Sequence, residues 1–159
     1  MKTLVAYFSA SGVTAGVAER LAKAIGADLH EIVPAQRYTA ADLDWRNPDS
    51  RSSVEMKNQT IRPAVREQFS AEGYDAILVG FPIWWGVAPT VVNTFLEGCG
   101  TEGKIVVPFA TSGGSGMRIV NAALAPSCRG AVLKEGKRFS ANASEAELRS
   151  WAESVLKQG

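Results

Sequence analysis

The chain has 159 residues and a formal net charge of +1, with 46% hydrophobic and 21% charged residues. That length suits one domain spanning 1–159 with a single sizeable core, and the near-neutral balance lacks the basic face of a nucleic-acid binder. No run approaches the roughly 18 consecutive apolar residues of a membrane span, and one histidine with two separated cysteines, Cys99 and Cys128, makes neither a metal cluster nor a disulfide framework. The expected setting is the cytoplasm, with reduced thiols, because the apolar run Met1 to Phe8 breaks at Ser9 into a strand–turn–helix pattern rather than a cleaved leader.

Lys2 to Phe8 is predicted as the first strand. Val13, Val17, Leu21 and Ile25 recur at a spacing of four, the stripe of a helix lying on a sheet, with Gly26 as its C-cap. Leu29, Ile32 and Val33 predict a weaker second strand stopped by Pro34. Residues 35 to 60 are polar, without sustained periodicity, and hold isolated aromatics at Tyr38 and Trp45. Long excursions of this kind are usually functional or mobile. Pro63 to Phe69 predicts a short helix with Pro63 in its first turn.

Asp75 to Phe81 is a continuous apolar run, the pattern of a strand buried on both faces. Pro89 to Leu96 predicts a helix with Val92, Phe95 and Leu96 inward. Lys104 to Phe109 is a further buried strand, and Pro108, which cannot donate to a ladder, is expected near its end. Arg118 to Leu124 predicts a helix, and Ala131 to Leu133 a last strand that resumes near Arg138 and Phe139. Ser144 and Glu147 form a capping box for a final helix, with Leu148, Trp151, Val155 and Leu156 as its buried stripe. Alternating strands and helices imply an α/β three-layer sandwich, a five-stranded parallel sheet covered on both faces. Its expected order is 2-1-3-4-5, with the ligand outside the carboxyl ends of the strands.

Three loops follow strands one, three and four and therefore share one sheet edge. Ser9-Ala10-Ser11-Gly12-Val13-Thr14 sets hydroxyls and a glycine at a helix N-terminus, where free N–H groups and the helix dipole favour an anion. It lacks the lysine of a nucleotide-triphosphate loop and the spacing of a dinucleotide fingerprint, so it suits one terminal phosphate. A capped helix after a flexible turn is the competing reading. Pro82-Ile83-Trp84-Trp85-Gly86 carries adjacent tryptophans whose side chains point opposite ways in extended chain. One of them is expected to face a cleft and cover a flat ligand. Thr111-Ser112-Gly113-Gly114-Ser115-Gly116 offers N–H groups for the polar edge of a heterocycle, with a plain solvent loop as the alternative. None of these serines has a histidine partner, since His30 falls on strand two, so a hydrolase is not expected.

On these motifs the sequence resembles the flavodoxin family, over nearly the whole chain, and in particular a bacterial short-chain subgroup with a Pro-x-Trp-Trp-Gly motif. The resemblance implies FMN as cofactor. It implies the phosphate at Ser9, Ser11, Gly12, Val13 and Thr14, and the isoalloxazine against Pro82, Ile83, Trp84, Trp85 and Gly86 and against Thr111, Ser112, Gly113, Gly114 and Ser115. Val13 stands where the family commonly has Asn, so one side-chain contact is missing and weaker binding is expected. The implied function is electron transfer through bound FMN, either to a redox partner protein or, as an NAD(P)H-dependent quinone or FMN oxidoreductase, to a small-molecule acceptor. The near-neutral charge, unlike that of acidic carriers, leans toward the second. A flavin-free interaction module is the remaining alternative. No catalytic side chain or metal is expected, and residues 35 to 60 are where acceptor contacts belong.

Overall fold

The computed structural model describes residues 1–111 and 117–157. The chain runs β1 (Thr3–Tyr7), α1 (Val13–Ile25), β2 (Asp28–Glu31), α2 (Arg51–Lys57), β3 (Ala76–Pro82), α3 (Thr90–Cys99), β4 (Ile105–Thr111), α4 (Met117–Leu124), β5 (Val132–Leu133), β6 (Lys137–Phe139) and α5 (Glu145–Leu156). The strands pair in the order β2-β1-β3-β4-β5, and β6 continues alongside β4 where β5 ends. All these pairings are parallel. The predicted fold class and strand order are therefore those observed.

Strand periodicity explains the two cores. Side chains alternate across a sheet, so Ile77, Val79 and Phe81 of β3 enter one hydrophobic layer with Val91, Val92 and Phe95 of α3. Leu78, between them, enters the other layer with Val17 and Leu21 of α1 and Leu148 and Trp151 of α5. Two buried faces explain why β3 reads as an unbroken apolar run.

Four local expectations are corrected. Pro108 sits within β4, opposite Val79, rather than near the strand's end. Its missing N–H faces the break between β5 and β6, because Val106, two residues earlier on the same side, accepts from Lys134 N at 2.9 Å. Gly136 passes there so closely that an added Cβ would lie 2.3 Å from the Pro108 carbonyl oxygen. On α1 the buried face is Thr14, Val17, Ala18, Leu21 and Ala22, and Val13 is exposed. A strict spacing of four drifts by about 40° per step on a helix of 3.6 residues per turn, which rolls Val13 off the sheet while Ile25, half-buried, still packs against the core. The second strand ends at Glu31, before Ile32 and Val33, although Ile32 is buried and its N–H donates to Tyr7 O at 2.7 Å.

Pro63 to Phe69 does not form a helix. Its backbone groups are taken by the chain leaving β2: Ala35 N donates to Ala64 O at 2.8 Å and Arg66 N to Val33 O at 2.7 Å, with Val65 bridged antiparallel to Pro34. A buried backbone group bonds wherever a partner is fixed, and here the partner is an extended segment. The helix instead forms earlier, as α2, inside the excursion. Its buried face is Ser52, Ser53, Glu55 and Met56, a mostly polar stripe that apolar periodicity does not register.

Candidate functional site

The carboxyl ends of β1, β3 and β4 meet at one edge, and the loops leaving β1 and β3 form the described part of the candidate site. The first loop begins as an organised turn. Ser9 Oγ accepts from Gly12 N at 3.1 Å and from Ala15 N at 3.2 Å. Gly12 is the N-cap of α1 with φ 93°, and it has no side chain with which to cap. The first turn of α1 holds no acidic residue. Among the described residues, no oxygen is set against the N–H groups of Val13 and Thr14. The helix thus leaves uncompensated positive polarity at an exposed turn.

Thr14 is buried, and its Oγ1 lies 2.7 Å from Thr111 Oγ1 at the end of β4. The two predicted contact residues are brought together, but their hydroxyls bond each other. That bond ties the first loop to the start of the third. Ser112, Gly113, Gly114 and Ser115 lie outside the described residues.

The second loop is a tight hairpin. Trp84 N donates to Val87 O at 2.9 Å and Val87 N to Trp84 O at 3.1 Å. The two central residues both have positive φ, 48° at Trp85 and 85° at Gly86, the signature of a type I′ turn. Gly86 adopts this freely. Trp85 is the sole non-glycine with positive φ among the described residues, and such a conformation costs about 1–3 kcal/mol.

The two indoles divide into one packed and one exposed ring, with Trp85 set by the left-handed turn rather than by extended chain. Trp84 packs edge-on against Phe8 at 5.7 Å and Tyr38 at 5.3 Å between ring centroids, which anchors the hairpin. Trp85 is 53% exposed. Ile83 is buried in the core, with its N–H donating to Thr111 O at 3.3 Å, and Pro82 closes β3 beside it. The hairpin therefore offers a flat indole and a glycine peptide to the edge, while Ile83 supports it from below.

The excursion supplies Tyr38, an aromatic marked in the sequence, and polar partners for it that sequence reasoning missed. Tyr38 packs on Phe8 and Trp84, and its hydroxyl donates to the Glu55 carboxylate. Burial, first, and then that bond push the Tyr38 phenol far above its ordinary pKa, so it stays a neutral donor. Arg51 lies 3.9 Å from the Tyr38 ring centroid and pairs with Glu55 at 3.0 Å. The Arg51–Glu55 spacing of four was readable on the sequence once a helix was assumed. Trp45, by contrast, is 66% exposed. Arg62 bonds Glu97 at 3.1 Å near the C-terminus of α3, away from the candidate edge, and Arg118 is exposed on α4.

His30 stacks on Phe69 at 4.1 Å and on Phe95 at 5.6 Å. Desolvation lowers its pKa below the ordinary value, as befits a packing residue. A groove of about 530 Å³ between Glu97, Thr101 and Arg129 lies at the amino end of β4, opposite the loops. Ligands of open α/β sheets bind at the carboxyl edge, so its size does not make it the site. Among the described residues, no cluster of His, Cys, Asp or Glu suits a metal ion, and no helix is long and apolar enough to cross a membrane.

An open parallel sheet in this order, with a hydroxyl-rich turn before α1 and an aromatic hairpin after β3, defines a flavodoxin-like α/β protein. The family model described as flavodoxin matches residues 2–155, and the chain belongs to that family. A candidate flavoprotein of Bacteroides eggerthii shares 46% identity and a TM-score of 0.89, with 99% of each chain covered. One of Bacteroides uniformis shares 45% identity and a TM-score of 0.90, covering 96% of this chain and 97% of that one. A flavoprotein of Lactobacillus acidophilus, solved in complex with FMN, has the same fold at a TM-score of 0.72 and 23% identity, over 95% of this chain and 98% of its own. No curated protein sequence gives a significant match.

Proposed function

We propose that the chain binds FMN at the carboxyl edge of β1, β3 and β4 and transfers electrons through it. The observation that carries this reading is the N-terminus of α1, without an acidic residue or a side-chain cap, tied by Thr14 to Thr111, whose carbonyl accepts from Ile83 N at the base of the aromatic hairpin. Family membership and the FMN-bound relative support it.

The residues present fit the cofactor. A phosphate needs N–H donors and no competing carboxylate, and the Ser9–Thr14 turn offers Val13 and Thr14 N–H with the exposed Ser11. Among the described residues other than its chain neighbours, no atom lies within 4 Å of the position a Gly12 Cβ would take. Bound FMN supplies the redox chemistry, while the protein contributes binding, orientation and electrostatic tuning. Trp84 holds the hairpin in place, and Trp85 excludes water from the ring side of the loop. The Gly86 peptide presents its N–H to the ring's polar edge. Between the two electron-transfer roles, a net charge of +1 and an exposed indole favour a small-molecule acceptor over a strongly basic protein partner.

Titration of purified protein with FMN, followed by flavin fluorescence and the visible spectrum, tests the reading. Saturable quenching with a perturbed spectrum is the expected result, and absence of binding at micromolar FMN would leave a flavin-free module. Turnover of NAD(P)H with a small acceptor is then expected from the loaded protein.

A further inference from the structure

We propose that the cleft between the excursion and the Trp84–Val87 hairpin is a second ligand subsite, built for a flat aromatic ring carrying a negative substituent. It would hold the small-molecule redox partner, and in that respect it rests on the FMN reading above.

The cleft measures about 190 Å³, and its lining includes Trp45, Arg46, Met56, Lys57 and Trp85. Three properties of these walls select the ligand. Two large indoles, 66% and 53% exposed, face one space from separate segments. Exposed aromatics brought together in a concave site form a platform for a flat ring. Two cations, Arg46 and Lys57, line the same space, and no carboxylate does among the described residues. The Arg46 guanidinium lies 5.2 Å from the Trp45 ring centroid, so the charge and the ring face form one unit with guanidinium donors to spare. Lys57 Nζ donates to Pro48 O at 3.0 Å, which holds the ammonium in place and leaves two protons for an anion.

The walls are fixed in the protein itself. The hairpin is anchored by Trp84 on Phe8 and Tyr38. The excursion is held by the Ser52 N to Asp42 O bond at 2.9 Å and by Arg51 Nη1 on Gln36 O at 2.6 Å. A site that exists before its ligand arrives costs little ordering on binding. The volume is below the roughly 300–1,000 Å³ of a drug-sized pocket, so it fits one fused ring rather than a whole dinucleotide. Trp85 belongs both to this lining and to the loop at the end of β3. An occupant of the cleft therefore sits beside the flavin site.

Calorimetric titration of the FMN-loaded protein with naphthalenesulfonate and with neutral naphthalenemethanol tests the proposal. The sulfonate is expected to bind about ten-fold tighter, the effect of two nearby cations in a partly exposed site. Arg46→Gln combined with Lys57→Gln should abolish that preference, and Trp45→Ala should weaken both ligands. All three residues are exposed, so the variants should fold and keep FMN affinity. Equal affinity for the two probes, or a preference that survives loss of both cations, overturns the subsite. Displacement of the sulfonate by reduced nicotinamide mononucleotide would assign it to the nicotinamide end of a nucleotide; displacement by benzoate alone would assign it to free aromatic acids. Displacement by neither overturns the class. Failure of the FMN reading is seen separately, in the FMN titration, and the same probes then apply to the FMN-free protein because both walls are its own.

Discussion

Helices α1 and α5 both begin beside a serine, and they complete their first turns in opposite ways. At α5, Ser144 Oγ accepts from Glu147 N at 3.1 Å, and Glu145 and Glu147 place negative charge in the first turn. That terminus is finished by its own chain. At α1, Ser9 Oγ accepts from Gly12 N and Ala15 N, the cap itself is a glycine, and no acid follows. Two helices of similar length, 12 and 13 residues, carry similar dipoles, so the difference lies in what neutralises them. Where the chain supplies the anion, the turn is structural. Where it withholds one, at the carboxyl edge of the sheet, the turn is the one proposed above to receive a phosphate.

The comparison breaks most severely if charge is supplied to α1. Ser11→Asp should weaken FMN about a thousand-fold, from about 4 kcal/mol of repulsion between unit charges near 4 Å at an effective dielectric near 20. Fluorescence titration measures it, and unchanged affinity would remove the phosphate from this turn. Thr14→Val should cost about 1–3 kcal/mol of stability, because Thr111 Oγ1 is left buried without its partner. In urea denaturation, the Thr14→Val, Thr111→Val pair should cost less than the sum of the single changes; strict additivity would show that the bond does not tie the loops. Ser144→Ala should cost about 1 kcal/mol by the same measurement, with FMN affinity unchanged. A loss of FMN affinity there would erase the distinction between the two termini. The smallest effect is expected from Val13→Asn, about three-fold tighter FMN from one added polar contact. Weaker binding in that variant would argue against side-chain contact at this position.

The Trp-Trp pair shows how far sequence reasoning reached. Opposed directions for neighbouring side chains follow from extended backbone, and the structure divides them into one anchor and one exposed ring. Which was which required the type I′ turn and the positions of Phe8 and Tyr38, a contact between β1, the excursion and the hairpin. The α2 helix was illegible for a different reason. Its inward face is mostly polar: Glu55 is held by Arg51 and Tyr38 and Ser53 by Ser50, while Ser52 Oγ is buried without a partner among the described residues. Such a face has no hydrophobic period, although the Ser50 cap, accepting from Ser53 N at 3.4 Å, was present in the sequence.

The sequence by itself determined the alternation of strands and helices, the buried central strands and the three strand-end loops. These depend on local periodicity and turn chemistry, which act within a few residues. Only the tertiary structure decided that Thr14 reaches Thr111, that Pro108 is tolerated within β4, that Pro63 to Phe69 pairs as extended chain, and that Trp45 meets Trp85 across a cationic cleft. Each joins segments far apart in the chain, where the partner that satisfies a hydrogen bond or covers a ring is fixed by packing rather than by neighbours in sequence.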